Sequence, residues 1–188
     1  FMITAAIIQA RMSSSRLPGK SMIKICEKPV IEHIINKVND FNPEKIFITV
    51  NYKSKILKAF FEELKPRLNI ELIFENKALG TCGSLRKIKI KKNYPILLLN
   101  CDTLLNLNLQ NVIREHINKS NDMTIVVSKK NFKMPYGVCE TSSDKILKKF
   151  IEKPNYQFSI NTGVYVISKK IIKIIPKNKK FDITGLIK

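Results

Sequence analysis

Two segments of the chain carry the residue types from which a phosphate-binding site can be built. Residues 78–85 read Ala-Leu-Gly-Thr-Cys-Gly-Ser-Leu, a turn of small residues that opens a predicted helix. Bare backbone N–H groups at such a helix start attract phosphate, and glycine lets a ligand come close. Residues 96–102 read Ile-Leu-Leu-Leu-Asn-Cys-Asp, an apolar strand that ends on an aspartate. Open α/β sheets bind ligands at the carboxyl ends of their strands, where a carboxylate can hold Mg²⁺ next to phosphates. Together the segments indicate an enzyme that handles a nucleoside triphosphate.

A third segment with chemical potential follows the first predicted strand. Residues 9–20 read Gln-Ala-Arg-Met-Ser-Ser-Ser-Arg-Leu-Pro-Gly-Lys. Arg11 and Arg16 can clamp phosphate oxygens in a bidentate manner, and Lys20 can act as a mobile point charge. A polar surface turn is the alternative interpretation, and this segment alone does not decide between the two.

The elements that must position these segments alternate between strand and helix. Predicted strands cover residues 3–9, 45–50, 70–74, 95–100 and 123–128. Predicted helices cover residues 29–39, 53–64 and 109–119, and a short helix begins at 83–88. This alternation predicts an α/β, three-layer, Rossmann-like fold with a mainly parallel central sheet. After Ser128, short strands at 136–140, 146–152 and 162–167 predict a β-rich second half.

Length and composition bound the class of protein. The chain has 188 residues, of which 44% are hydrophobic, and this suits one domain with a sizeable core. No run of residues approaches the roughly 18 apolar residues of a membrane span. The four cysteines form no Cys-x-x-Cys pair, so we expect free thiols and a cytoplasmic protein. His33 and His116 lie on predicted helices without acidic or cysteine partners, and we interpret both as structural.

The net charge of +19 raises the question of a nucleic-acid partner. However, 29 of the 34 basic residues are Lys and only five are Arg. The lysines are spread along the chain without an Arg-rich arm or interleaved aromatic residues. We therefore interpret the charge as a biased, solvated surface, and a nucleic-acid partner is disfavoured.

The chain resembles known sugar-activating enzymes in six motifs. Residues 9–20 resemble the first loop of cytidylyltransferases that act on acidic sugars, with Ser13 in place of the usual glycine. Five further motifs resemble the sugar-1-phosphate nucleotidyltransferases, particularly the guanylyltransferase-like branch. These are Glu-x-x-x-Leu-Gly-Thr-Cys-Gly-Ser-Leu at 75–85, Asn-Cys-Asp at 100–102, Tyr-Gly-Val at 136–138, Ile-Glu-Lys-Pro at 151–154 and Asn-Thr-Gly-Val-Tyr at 161–165. Their order and spacing are those of the family, and the resemblance covers nearly the whole chain.

This resemblance implies a reaction, a cofactor and a set of site residues. The implied reaction joins a nucleoside triphosphate to a sugar 1-phosphate and releases pyrophosphate, with Mg²⁺ as cofactor. The implied catalytic residues are Arg16, Lys20 and Asp102, with Asp102 also the metal ligand. The implied nucleotide-binding residues are Gln9, Ala10, Arg11, Glu75, Gly80, Thr81 and Gly83. The implied sugar-binding residues are Gly137, Glu152, Lys153 and Asn161.

The base and the oligomeric state stay open. Glu75 could accept hydrogen bonds from the ring N–H and amino group of guanine, which favours GTP. The first loop favours CTP instead, with Glu75 then a surface residue without a role. Whether the protein forms a homo-oligomer is equally open.

Two departures from the family keep alternative functions in view. The long Gly-Gly-x-Gly-Thr-Arg-Leu loop of the family is replaced by the shorter loop at 9–20. The sequence also stops shortly after Phe181-Asp182-Ile183-Thr184, before the family's second metal-binding Asp. We therefore expect residues 1–188 to form one nucleotidyltransferase domain that lacks the family's C-terminal end. The alternatives are a cytidylyltransferase for an acidic sugar and a non-catalytic protein that binds nucleotide sugars, followed by a nucleic-acid module.

Overall fold

A computed structural model of the protein describes residues 5–10, 19–51, 55–64, 68–75, 77–90 and 93–188. The chain divides into two compact units, the second of which is a single insertion in the first. Unit 1 comprises Phe1–Ile125 and Gly163–Lys188, and unit 2 comprises Val126–Thr162.

The described residues form a mixed α/β structure. The α-helices are α1 (Val30–Asn39), α2 (Lys55–Leu64), α3 (Leu109–Asn118) and α4 (Ile183–Ile187). The strands are β1 (Ala5–Ala10), β2 (Lys24–Ile25), β3 (Lys28–Pro29), β4 (Lys45–Asn51), β5 (Ile70–Glu75), β6 (Ile96–Asn100), β7 (Met123–Lys133), β8 (Val138–Thr141), β9 (Leu147–Ile151) and β10 (Asn155–Ile167). Short 3₁₀ helices cover Lys20–Met22, Gly83–Lys87 and Lys169–Ile174.

The largest sheet has six strands in the order β5-β4-β1-β6-β10-β7. Strand β1 pairs in parallel with both β4 and β6, and β4 pairs in parallel with β5. Strand β10 pairs with β6 in the antiparallel direction. The sheet is therefore mixed, and its four parallel strands end at one common edge.

Hydrophobic patterning explains why these elements form and pack. In α1, Val30, Ile31, Ile34, Ile35 and Val38 recur at helical spacing and are all buried. The four apolar residues of β6, at positions 96–99, are buried on both faces of the sheet, as expected of a central strand. The predicted helices and strands of the first 125 residues are confirmed within a few residues, except where they fall outside the described positions.

Unit 2 is β-rich, as predicted, but its strands are longer than expected. Strand β7 extends to Lys133, and β10 begins at Asn155 rather than near Thr162. The missed part of β10 alternates polar residues with Tyr156, Phe158 and Ile160, a period-2 pattern typical of a strand. The ring of Phe158 packs edge-on against Phe132 of β7, with centroids 5.8 Å apart, which ties the two strands together.

No helix in the part of the chain that the structure describes is long and apolar enough to span a bilayer.

His116 on α3 is buried, as its interpretation as a structural residue predicts. Its Nδ1 lies 2.9 Å from the hydroxyl of Thr124, which also accepts a hydrogen bond from the side-chain amide of Asn121 at 3.2 Å. Burial lowers the pKa of His116 below its ordinary value of 6.5, and the negative charge of Asp122 opposes this only in part. Burial therefore favours the neutral form of this imidazole in the folded state.

We expect this histidine to destabilise the protein in mild acid. As pH falls below 6.5, His116 becomes protonated in the unfolded chain at a higher pH than in the native state. The unfolded chain therefore binds more protons, and the free energy of unfolding falls. One such proton limits the slope to about 1.4 kcal/mol per pH unit. Denaturant unfolding between pH 7.5 and 5 should show a steeper loss for the wild type than for His116→Gln. Identical pH dependence in the two proteins would contradict this role.

Candidate functional site

The carboxyl edge of the parallel strands carries the residues predicted to do chemistry. Gln9 of β1 lies opposite Asn100 of β6, and Asn51 of β4 lies opposite Glu75 of β5. The chain leaves β1 on one side towards β4 and β5, and only later returns to the other side of β1 to form β6. This reversal of strand order falls between the ends of β1 and β6, and open α/β sheets usually bind ligands in a crevice at such a point.

Lys20 and Asp102 meet beside this crevice. Lys20 begins the 3₁₀ helix that follows the first loop, after Gly19 in a left-handed conformation with φ of 71°. Asp102 lies two residues beyond the end of β6. The Lys20 ammonium donates a hydrogen bond to Oδ2 of Asp102, and each side chain is 31% exposed. The structure thus brings together two of the predicted catalytic residues, 82 positions apart in sequence, in a position that solvent or a ligand can reach.

The remaining residues of the first loop are less fully described. Gln9 and Ala10 are the last two residues of β1. Arg11 and Arg16 lie outside the described residues, so their predicted roles in gripping a triphosphate stay predictions.

The glycine loop, residues 79–83, connects β5 to the second 3₁₀ helix and lies at the same edge. Its backbone N–H groups were expected to be bare, and this expectation is wrong for three of them. The Thr81 N–H donates to Oδ1 of Asp182 at 2.9 Å. The N–H groups of Cys82 and Gly83 both donate to the carbonyl oxygen of Phe181, at 2.9 and 3.2 Å. A buried backbone needs partners for its polar groups, and here residues 181 and 182 supply them.

The same contacts explain why two positions of the loop are glycine. Gly80 has φ of 76°, and a Cβ there would clash with the Phe181 carbonyl and lie 2.8 Å from Oδ1 of Asp182. A Cβ on Gly83 would lie 2.8 Å from the carbonyl oxygen of Lys179. Whatever ligand the loop accepts, both glycines are already required by the close approach of a second chain segment.

Glu75 is buried, with only 2% of its surface exposed. Its Oε2 lies 3.4 Å from the backbone N–H of Leu79, a long hydrogen bond that links the end of β5 to the start of the glycine loop. The alternative in which Glu75 is a surface residue is therefore wrong. A buried carboxylate at this position can hold the glycine loop through a hydrogen bond, and it can also accept hydrogen bonds from a ligand.

Unit 2 contains the four residues predicted to bind a sugar. Gly137 precedes β8, and a Cβ there would lie 3.1 Å from Oε2 of Glu152 and collide with the ring of Phe150. Lys153 has φ of 43° and its ammonium lies 3.8 Å from Oε1 of Glu152. Gly137, Glu152 and Lys153 are thus neighbours, with the carboxylate of Glu152 exposed to solvent. Asn161 is an exposed residue of β10 in the same unit.

Asp102 is the residue predicted to hold a divalent cation. Among the described positions, no group of three or more His, Cys, Asp and Glu side chains is close enough to enclose a metal ion. A magnesium ion does not require such a cage, because it usually takes one or two carboxylates together with water and substrate phosphates. A single accessible Asp beside a phosphate crevice fits that mode of binding.

The segment Phe181–Ile183 was missed as part of the site. Its contacts with the glycine loop join residues about 100 positions apart, so no local pattern connects them. A detectable signal was the Asp182-Ile183-Thr184 sequence, in which an Asp precedes a helix as an N-cap. That signal predicts the start of α4, but not the loop against which the helix docks.

Comparison with known proteins agrees with this architecture. A solved structure of HddC from Yersinia pseudotuberculosis, complexed with GMP-PN, superposes with a TM-score of 0.70 at 24% identity. The match covers 96% of this chain and 83% of HddC, and it shows a shared fold.

Sequence relatives point to the same group. The mannose-1-phosphate guanylyltransferase catalytic subunit beta of Drosophila pseudoobscura pseudoobscura is 28% identical over 163 residues, which is 83% of this chain and 44% of the relative. The mannose-1-phosphate guanyltransferase beta-A of Xenopus laevis is 30% identical over 162 residues, which is 81% of this chain and 45% of the relative. The chain thus spans a little under half the length of these relatives.

The family profile described as nucleotidyl transferase matches residues 14–184, nearly the whole chain. This match and the relatives confirm the resemblance drawn from the motifs, including its guanylyltransferase-like character. The chain belongs to the nucleotidyl transferase family.

Proposed function

We propose that this protein joins a nucleoside triphosphate to a sugar 1-phosphate, giving a nucleotide sugar and pyrophosphate. The observation that carries the proposal is the Lys20–Asp102 pair, which lies beyond the carboxyl ends of the neighbouring strands β1 and β6. A cation and a carboxylate at this point suit a substrate rich in phosphate charge. The mannose-1-phosphate guanylyltransferases among the relatives support the choice of reaction.

The reaction needs alignment and charge neutralisation more than a protein nucleophile. A phosphate oxygen of the sugar 1-phosphate attacks the α-phosphorus of the triphosphate and forms the new P–O bond. The bond between the α-phosphorus and the bridging oxygen to the β-phosphorus breaks, and pyrophosphate leaves with that electron pair. Arg16 and Lys20 would neutralise the triphosphate and the leaving pyrophosphate, with Arg11 assisting from the first loop.

Magnesium dependence is part of the proposal. Asp102 would hold Mg²⁺, which when bound supplies charge neutralisation to the phosphates. The ion pair with Lys20 supports this role, because the carboxylate of Asp102 already has a positively charged partner.

We propose GTP as the nucleotide. HddC is described as complexed with GMP-PN, a guanine nucleotide analogue, and the sequence relatives are guanylyltransferases. In this proposal the buried Glu75 accepts hydrogen bonds from the ring N–H and the amino group of guanine. CTP remains the competitor, because the first loop resembles that of cytidylyltransferases.

The sugar phosphate is assigned to the residues of unit 2. Glu152 and Asn161 carry the carboxylate and amide groups that suit sugar hydroxyls. Lys153 offers a cation for the sugar phosphate, and Gly137 lets the ring of Phe150 pack close to the backbone beside Glu152. A three-layer fold around the four parallel strands, a single functional domain and a cytoplasmic location belong to the same proposal.

One experiment distinguishes the proposed function from the two alternative functions. The full chain is incubated with each of the four triphosphates and a panel of sugar phosphates, and pyrophosphate release is measured with and without Mg²⁺. The proposal expects release that requires both a sugar 1-phosphate and Mg²⁺. Release with CTP and an unphosphorylated acidic sugar indicates the cytidylyltransferase. Nucleotide-sugar binding without any release indicates a non-catalytic protein.

Asp102→Asn tests the metal ligand. The substitution keeps the size of the side chain but removes the negative charge, so we expect turnover to fall by about 100-fold or more. Circular dichroism and thermal unfolding should show an intact fold.

Asp122→Asn is the matched control, because Asp122 also pairs with a lysine, Lys170, on the surface of unit 1. Its turnover should stay within about two-fold of the wild type, since exposed ion pairs contribute little. Near-normal turnover in a folded Asp102→Asn protein would remove Asp102 from the mechanism.

Glu75→Gln tests the base. If Glu75 accepts hydrogen bonds from two guanine donors, bound CTP would not supply those donors to the buried carboxylate. We expect this to weaken CTP binding by roughly 1–3 kcal/mol. We therefore expect the ratio of kcat/KM for GTP over CTP to be high in the wild type and to fall at least about ten-fold in Glu75→Gln.

Glu71→Gln is the control on the same strand, where Glu71 is exposed and pairs with Lys45 at 2.8 Å. It should leave the GTP/CTP ratio unchanged. A CTP preference that Glu75→Gln does not alter would refute the guanine assignment and leave the rest of the proposed function standing.

A further inference from the structure

The glycine loop and the start of α4 exchange hydrogen bonds in an unusual way. Asp182 occupies the N-cap position of α4, where an Asp side chain normally accepts a bond from its own helix. Although α4 is described in full, the Asp182 side chain makes no such bond. Its Oδ1 instead accepts from the Thr81 N–H at 2.9 Å and lies 3.5 Å from the Thr81 hydroxyl.

The capping role passes to Thr81. The N–H of Ile183, the first residue of α4, donates to the Thr81 hydroxyl oxygen at 2.6 Å. Each residue therefore supplies the acceptor that the other segment needs. Loss of either side chain leaves an N–H group on the opposite segment without its acceptor.

Hydrophobic contacts hold this second segment in place. Ile183 is buried, and Phe181 and Leu186 pack against the core cluster that contains Cys82 and Leu85. The start of α4 is therefore packed against the core beside the glycine loop. Its backbone adds a further bond, in which the Phe181 N–H donates to the Leu79 carbonyl oxygen at 2.9 Å.

The glycine loop depends on that support for its shape. Within the loop, the Gly83 N–H also donates to the Leu79 carbonyl at 3.1 Å, and Gly80 holds a left-handed conformation. A glycine at such a position has much conformational freedom to lose when it is ordered. The contacts that Asp182 and Phe181 make offset this loss of backbone conformational entropy.

We infer that Asp182 is a positioning residue for nucleotide binding, acting through Thr81 to hold the glycine loop ready for the nucleotide. The inference rests on the proposed function, because it takes the loop to be part of the nucleotide site. A loop that is ordered only part of the time weakens apparent affinity by the fraction of molecules in the competent state. Asp182 thus affects affinity for the nucleotide and leaves the chemical step, at Lys20 and Asp102, largely alone.

Four variants test this inference with GTP as the probe and a saturating sugar 1-phosphate. Asp182→Ala removes the acceptor, and we expect KM for GTP to rise about ten-fold with kcat within about two-fold of the wild type. Asp182→Asn keeps an oxygen at the same place and should restore KM to within about three-fold. Thr81→Val removes the hydroxyl. The Asp182→Ala/Thr81→Val double variant should be little worse than Asp182→Ala alone, because the two side chains act as one unit.

A matched control separates positioning from a general loss of stability. Asn108 caps α3 by accepting from the Asn111 N–H at 3.3 Å, within unit 1 and outside the glycine loop. Asn108→Ala loses a helix cap as Asp182→Ala loses its bond, and should lower the melting temperature without raising KM for GTP.

Hydrogen exchange supplies a readout that needs no nucleotide. In the free protein, the amides of Thr81, Cys82 and Gly83 should exchange faster in Asp182→Ala than in the wild type or in Asp182→Asn. Unchanged exchange, or faster exchange with an unchanged KM for GTP, overturns the inference while the proposed function stands. If Asp182→Ala does not fold, Asp182→Ser carries the test, because its shorter side chain withdraws the acceptor from the Thr81 N–H, and KM for GTP is again expected to rise. A wild-type protein that binds no nucleotide overturns the proposed function, and the inference with it.

Discussion

Strand β1 pairs in parallel with a strand on each side, and the arrangement of the site depends on this constraint. Because β4 and β6 both run alongside β1 in the same direction, the segments that follow these strands leave from one edge. Lys20 follows β1 and Asp102 follows β6, so their meeting is a consequence of strand order. A parallel ladder also requires long crossover connections, and those connections supply the loops that a ligand can use.

The parallel strands end at one edge of the sheet, and the backbone N–H and C=O groups of the loops there need hydrogen-bond partners. The glycine loop has N–H groups in a buried position, and residues 181 and 182 provide acceptors for three of them. Phosphate would be an alternative acceptor, but these three groups already have partners. A nucleotide at this loop would therefore contact the remaining surface of residues 79–81, with the backbone of the loop held from behind. The glycines serve this internal packing first.

Much of the fold follows from patterns that the sequence displays locally. Buried β6 and amphipathic α1 are recognisable because burial and periodicity coincide in them. The position of Lys20 and Asp102 after two parallel strands follows from the predicted alternation, but the neighbourhood of β1 and β6 depends on a crossover that the alternation does not specify. The alternation of Tyr156, Phe158 and Ile160 with polar residues is also a local pattern.

Other parts of the site depend on contacts that sequence patterns do not encode. Hydrophobicity would bury Phe74 and expose Glu75, whereas Phe74 is 44% exposed and Glu75 is 2% exposed. Strand β5 lies at the end of the sheet order, so Phe74 has less to pack against, and Glu75 turns inward towards the Leu79 N–H. The docking of α4 on the glycine loop joins residues 101 positions apart, which no window of sequence connects.

The charges at the site determine how an anionic ligand can approach it. The proposed triphosphate would bring several negative charges to the site that contains Asp102, and an uncompensated carboxylate there would repel it. Because Lys20 pairs with Asp102, phosphates would meet a locally neutral pair instead of an anion. The net charge of +19 then adds a long-range attraction for anionic substrates that salt weakens.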